Sequence, residues 1–367
     1  MVRRLLIATC VLTFLVGGSL IPLGLADGGP NHQTRNQHFG VSGGNVNDHS
    51  RAFCCSGTLG ALVNDGSTQY VLSNNHVLGR SDQATAGEDI SQPGLIDNSC
   101  QIATIVADFT TAVPLGNNVD AAIALLRSGT MDATGFIEDI GVPSGTVVAP
   151  SVGLSVAKSG RTTGFTTGTV GSINTSVNVQ YQQGCNSGKK FTVSYTNQVV
   201  INSSSFSAGG DSGSLIVTNN ASHNPVALLF AGSSSTTIGN PIGEVLSKLS
   251  ARPGIGTLSF GSGGPAGPVS TLSTDDTVPF IRGGGRQMRE LPSQAAARAS
   301  AVLERHRANL MFMDGVIGAG VGFASDDDND AAIVIYVDRT QNGRPVLASS
   351  IEGIPVRMIM TDPFVAF

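Results

Sequence analysis

From Thr58 to Ile216 the chain is written in short apolar runs, and glycine or asparagine ends each one before it is long enough for a helix. Leu59–Val63, Tyr70–Leu72, Ile102–Phe109, Ala121–Leu126, Thr146–Ala149, Gly168–Ile173, Gln198–Ile201, Ser214–Val217 and Val226–Ala231 read as strands. Runs this short, rich in β-branched residues and punctuated by turn residues, belong to sandwiches or barrels. The composition agrees, with 47 glycines, no tryptophan and 13% charged residues in 367. Ile242–Leu249 reads as a short amphipathic helix that closes this region. A net charge of −5, with no basic cluster beyond the N-terminus, argues against nucleic acid as a partner.

Gly209-Gly210-Asp211-Ser212-Gly213-Ser214 sets a serine among glycines. Glycine on both sides permits a sharp turn, exposes the hydroxyl and lets the N–H groups of Gly210 and Ser212 converge on one spot, as an oxyanion requires. A serine hydroxyl is inert at neutral pH without a base and a group that orients the base. His76, after the apolar run Tyr70-Val71-Leu72, is the candidate base, and Asp120, at the head of Ala121–Leu125, is the candidate orienting acid. Each residue alone has a plain structural reading as a turn serine, a core histidine or a strand cap. The order His, Asp, Ser makes three coincidences improbable together. The other histidines, His32, His38, His49, His223 and His306, stand in polar stretches or on a charged helix and read as surface residues.

With these motifs the chain resembles the chymotrypsin-like (trypsin-like) serine peptidases. Gly-Asp-Ser-Gly around Ser212 matches the nucleophile motif, Leu-Ser-Asn-Asn-His-Val around His76 the histidine motif, and Val-Asp-Ala-Ala-Ile-Ala-Leu around Asp120 the aspartate motif. Lys158–Val170 looks like the hairpin that secreted bacterial members place ahead of the serine. Gly57–Val63 leading into Ser-Asn-Asn-His resembles a bacterial branch to which the plant NARROW LEAF-type proteins are also similar. The resemblance covers residues 40 to 250. It implies an all-β fold of two antiparallel β-barrels with the site between them, followed here by a small α+β C-terminal module. It also implies a serine endopeptidase that acts on protein or peptide through an acyl-enzyme, with no cofactor and no metal. Phe206, Phe230, Ala231 and Gly232 then become the expected wall of the substrate pocket. That wall carries neither a carboxylate for Arg or Lys nor a histidine for Glu, so small or apolar side chains are expected at the cleaved position. The alternative is a non-catalytic binding or adhesion protein on the same scaffold, and a cleft blocked by residues 27–50 or by the C-terminal module would also silence the site.

Residues 1–26 read as a signal peptide, with Val2-Arg3-Arg4, an apolar run from Leu5 to Leu20, and Gly24-Leu25-Ala26 ahead of the cleavage point. The mature chain is then secreted or periplasmic and does not span a membrane. Cys10 is removed with the leader, leaving Cys54, Cys55, Cys100 and Cys185 for an oxidising compartment. Three pairings are possible, and strain disfavours a bond between the neighbours Cys54 and Cys55. No cysteine follows His76, so the disulfide that animal relatives carry there is absent. Residues 27–50 are expected to be an irregular lead-in and 51–250 the peptidase domain. Gly/Pro-rich 251–290 is expected to be a linker and 291–367 a module of unknown role with its own unidentified partner. Gly40–Gly44 resembles an activation N-terminus only faintly, so the protease is expected to fold without such a switch. Ser293–Met311 reads as a helix with Ser293 as N-cap, and Val316–Phe323, Ala331–Val337 and Ile354–Ile359 read as strands. The acidic run from Asp326 lacks the glycine and glutamate of a calcium loop and reads as a hairpin turn.

Overall fold

The computed structural model describes residues 30–261, 290–326 and 330–367; the expected signal peptide, Cys10 and most of the expected linker lie outside the described residues. The first sheet runs β2 (Gly57–Leu59), β1 (Val41–Asn45), β5 (Asp89–Gln92), β6 (Thr104–Ala112), β7 (Ala122–Leu126), β4 (Gln69–Ser73), β3 (Ala61–Asn64), antiparallel throughout. Only Gly60 separates β2 from β3, so the sheet curls into a nearly closed barrel around Leu59, Val71, Leu72, Ile90 and Ile123. β1 corrects the expectation of an irregular lead-in. Its sequence, Val-Ser-Gly-Gly-Asn, has no apolar alternation, yet all of it is buried. A Cβ at Gly43 would meet Leu59 Cγ at 2.3 Å, so glycine is what lets this strand lie against its neighbour.

The second barrel runs β10 (Lys190–Asn202), β13 (Thr236–Pro241), β12 (Pro225–Gly232), β11 (Leu215–Thr218), β8 (Ser155–Gly160), β9 (Gly164–Gln182) and closes through β9 against β10. Together the barrels are the chymotrypsin-like double-barrel fold. Thr146–Ala149 forms no strand, although Val147 and Val148 are buried and the Val148 N–H bonds to the Pro225 carbonyl. β9 and β10 run far past the barrel, pairing as far out as Gln182 with Lys190. The helix Ile242–Ser250 buries Ile242, Val245, Leu246 and Leu249 against the first barrel's core.

The C-terminal module consists of the helix Ser293–Met311, β14 (Val316–Phe323), β15 (Ala331–Asp338), β16 (Ser350–Ile351), β17 (Ile354–Thr361) and β18 (Phe364–Ala366). Pro292, not Ser293, takes the N-cap place. β14 pairs antiparallel with β9, from Gly318 opposite Val177 to Gly322 opposite Ser172, so the second barrel's sheet continues into the module. Tyr336 and Phe364 lie in one apolar cluster with Val177, Tyr195, Val200 and Phe230 of the barrel. The composition break at 251–290 is therefore no break in the core, because β9 has an edge that the module covers. A chain ending at Ala251 should expose that edge together with Val177 and Tyr195, lose heat stability and self-associate. Gel filtration and thermal unfolding check this; a truncated chain that stays monomeric and as stable as the whole protein would make the module a mere appendage.

Candidate active site

Ser212 sits at a turn in which Gly210 and Gly213 cannot be replaced by residues with side chains. Gly210 and Gly213 have φ of +97° and +95°, and a Cβ at Gly213 would meet Ser73 Oγ at 2.1 Å and the Thr58 carbonyl at 2.3 Å. The turn is fastened from beneath by Asp211, which is wholly buried. Its Oδ1 accepts from the N–H of Thr162 at 2.8 Å and of Thr163 at 3.1 Å, and its Oδ2 accepts from Thr163 Oγ1 at 2.7 Å and the Ala208 N–H at 3.0 Å. The charge partner is Lys158, also wholly buried, with Nζ 3.4 Å from Asp211 Oδ2 and donating to the Gly164 carbonyl and to Thr163 Oγ1. Burial disfavours the lysine's cationic form and Asp211 opposes that, with a net downward shift of its pKa. Sequence reasoning placed Lys158 only at the start of the hairpin Lys158–Val170 and missed its pairing with Asp211; a lone charge in a buried strand was the available signal. The first barrel grips the same turn through Thr58, whose N–H donates to the Ser212 carbonyl at 2.8 Å and whose Oγ1 donates to the Gly210 carbonyl at 3.0 Å.

His76 lies in the helical turn Asn75–Leu78 after β4, and Asp120 stands two residues ahead of β7, which pairs with β4. The His76 Nδ1 lies 2.6 Å from Asp120 Oδ2, and the His76 N–H donates to Oδ1 at 3.1 Å. An ionised carboxylate only accepts, so Nδ1 is the protonated nitrogen. Asp120 is fully buried, and two residues missed in the sequence support it: Tyr181 OH donates to Oδ2 at 2.8 Å, and Asn240 Oδ1 accepts the Asp120 N–H at 2.9 Å. Tyr181 is carried by the outer part of β9 and bonds in turn to Tyr195 of β10 at 2.7 Å. Burial, the charge of Asp120 and Tyr195 raise the Tyr181 pKa well above the usual phenol value, so its hydroxyl remains a donor. For His76, burial lowers the pKa, while Asp120, the Phe367 carbonyl and Asp48 raise it, and the net direction is up. The half-buried Asp48 is itself pushed up to about 6 by burial, with the charges of His76, Arg80 and His49 working against the rise.

His76 and the serine turn, through Gly209 and Gly210, line the same cleft, but Ser212 itself is wholly buried rather than exposed as the glycines suggested, and it is not bonded to His76. Ser212 Oγ donates to the Phe230 carbonyl at 3.2 Å, and His76 Nε2 is 3.0 Å from the Phe367 carbonyl oxygen. Among the described residues, no acceptor is bonded to the N–H of Gly210 or Ser212. Of the expected pocket wall, Ala231 and Gly232 pair with β18 along β12, Phe230 is buried with Ala231 in one core cluster, and Phe206 is buried in another. A cleft of about 260 Å³ extends from His76 past Asp48, Cys55, Arg161 and Gly210. Cys54 bonds to Cys100 and Cys55 to Cys185, one of the three pairings open from the sequence. His32 is a correction, since it is buried, with Nε2 2.9 Å from Asp139 Oδ2 and Nδ1 3.2 Å from the Gly40 carbonyl.

Replacing Lys158 by Met should leave Asp211 as an uncompensated buried charge and cost about 3–5 kcal/mol of stability. Urea unfolding reads this directly; a loss near zero would mean that the backbone N–H groups alone hold Asp211.

The chain matches the model of Peptidase family S64 over residues 74–237. Among curated proteins none matches it. Among solved structures it is similar to a glutamic-acid-specific serine protease (20% identity, TM-score 0.43, 60% of this chain and 98% of that one). It is also similar to Thermobifida fusca Protease A (18%, TM-score 0.41, 62% and 99%). A third is Cellulomonas bogoriensis chymotrypsin (16%, TM-score 0.36, 59% and 97%). The S64 match spans His76, Asp120 and Ser212 and supports a peptidase hydrolase acting on peptide or protein.

Proposed function

We propose that the protein is a serine endopeptidase in which His76, Asp120 and Ser212 form a catalytic triad. The observation that carries this reading is the 2.6 Å His76–Asp120 contact placed beside a glycine-flanked serine turn. In the active form Ser212 Oγ would leave the Phe230 carbonyl, and His76 Nε2 the Phe367 carbonyl, to bond to each other. His76 would take its proton as the hydroxyl attacks the peptide carbonyl, Asp120 would hold the imidazole and stabilise its cation, and the N–H groups of Gly210 and Ser212 would bind the oxyanion. His76 would then protonate the leaving amine, and water would release the acyl group. The two disulfides support an extracytoplasmic location, and secretion through residues 1–26 accounts for them. Leu72–Val77 supports the narrower likeness to the bacterial branch similar to NARROW LEAF-type proteins.

Ser212→Ala should lower peptide hydrolysis by about three or more orders of magnitude. Labelling by a fluorophosphonate at Ser212, abolished by His76→Ala, is the direct test; no labelling in any form of the protein would favour a binding protein on a peptidase scaffold. The raised His76 pKa also gives a direction for pH. Hydrolysis needs the neutral imidazole, so the rate should climb with pH through a midpoint above the ordinary value of about 6.5. The same shift favours the folded state fully below that ordinary value, and this contribution fades as pH rises through the folded pKa. A pH–rate profile with a midpoint at or below the ordinary value would remove His76 as the titrating base.

A further inference from the structure

Between the edge of β12 and the outer part of β9 lies a slot, and the chain fills it with its own strand β18. On one side β18 pairs antiparallel with β12, Ala231 opposite Ala366 and Gly232 opposite Val365. On the other it pairs parallel with β9, Phe364 opposite Val179 and Val365 opposite Gln180. The Phe367 N–H continues the ladder to the Phe230 carbonyl at 3.4 Å. The Phe367 ring lies over Gly232, where a Cβ would meet its Cζ at 2.5 Å, and packs on the cluster that holds Phe206, Ile216 and Leu229. Its carbonyl oxygen reaches His76 Nε2, and since Nδ1 already donates to Asp120, that contact requires the imidazolium. An extended strand, paired through its backbone on both sides, with one ring in a pocket and a carbonyl at the histidine, is bound as peptide ligands of sheet edges are bound.

We propose that Phe364–Phe367 is an internal substrate mimic that fills the acyl side of the cleft, marks the pocket beside Gly232 as one for Phe or a similarly large apolar residue, and keeps the site closed to peptides until the strand leaves. This rests on the serine endopeptidase reading above. Two observations give it direction. The cleft lined by Asp48, Cys55, His76 and Gly210 stays open, with Ala366 and Phe367 forming one of its walls, so the strand fills only part of it. The segment is also graded in its hold: Phe364 is wholly buried and anchors it, whereas Val365 is 39% exposed and Phe367 half-buried. A tethered strand acts at an effective concentration on the order of 1 mM, so one that binds as free peptide at about 0.1 mM would block about nine-tenths of the molecules. Expected substrates carry Val, Ala and Phe in that order before the cleaved bond, which narrows the small-or-apolar expectation to a large ring.

The test uses the whole protein with Phe367→Gly and, separately, Val365→Pro, which leaves the ring in place and removes an N–H from the β18 ladder. Fluorophosphonate labelling of Ser212 and hydrolysis of acyl-Val-Ala-Phe, acyl-Val-Ala-Ala and acyl-Val-Ala-Lys p-nitroanilides are measured for parent and variants. Labelling about tenfold faster in both variants supports the proposal. So do a tenfold or larger preference for Phe in kcat/KM and competitive inhibition of Phe367→Gly by acetyl-Pro-Phe-Val-Ala-Phe. Equal or slower labelling in both variants, with Ser212 still reacting, overturns the block and leaves the endopeptidase standing. A preference for Lys or Ala overturns the pocket assignment. No reaction of Ser212 in any of the three proteins overturns the endopeptidase reading and this proposal with it.

Discussion

The buried charge of Asp211 is the constraint on which the site's geometry depends. A carboxylate with no exposed surface is tolerated only when every lone pair is used and a cation is near. Thr162, Thr163 and Ala208 supply the donors, and Lys158 supplies the charge from inside the second barrel. Because all of these partners except Ala208 lie on β8 and the turn before β9, the position of Ser212 is fixed by the barrel itself. Gly160 is part of this arrangement: a Cβ there would meet Asp211 Oδ1 at 2.6 Å. The cation is an internal side chain of β8.

Asp120 poses the same problem from the first barrel, and the solution is borrowed from the second. His76 uses both of its oxygens, Tyr181 adds a hydroxyl, and Asn240, itself bonded to Gln198 at 2.6 Å, receives the Asp120 N–H. Thr58 makes the reverse loan, fastening the second barrel's serine turn to the first. The two barrels thus complete each other's polar networks at the cleft, where a half-satisfied network would be costly.

His76, Asp120 and Ser212 could be singled out as candidates from the sequence because their motifs combine chemistry with turn residues and order. The helix Ser293–Met311 and the strands β14, β15 and β17 were equally legible, whereas the short β16 and β18 were not. Strands such as Val41–Asn45, Ser155–Gly160 and Thr236–Pro241 were not, since they are buried through polar side chains that find partners only in the fold. Ser42 bonds to Asp97, and Ser207 to Thr237. Tyr181 stands in a run of Asn, Gln and Val with no local hint of a role. The composition break at 251–290 marked a change in the chain but not in the core, because strand pairing between β9 and β14 ignores sequence distance.

The adjacent cysteines have a mechanical consequence. Cys54 ties to the loop of Cys100 in the first barrel, while Cys55 ties to Cys185 at the tip of the β9–β10 hairpin, 130 residues away. One dipeptide is therefore a rivet through both barrels at the rim of the cleft. In the chain-entropy view a closure that long is worth about 4–5 kcal/mol. A reducing environment would free the hairpin that carries Tyr181, and with it one wall of the slot that β18 occupies, so thiol chemistry at the rim and peptide access at the centre would be governed by the same covalent bond.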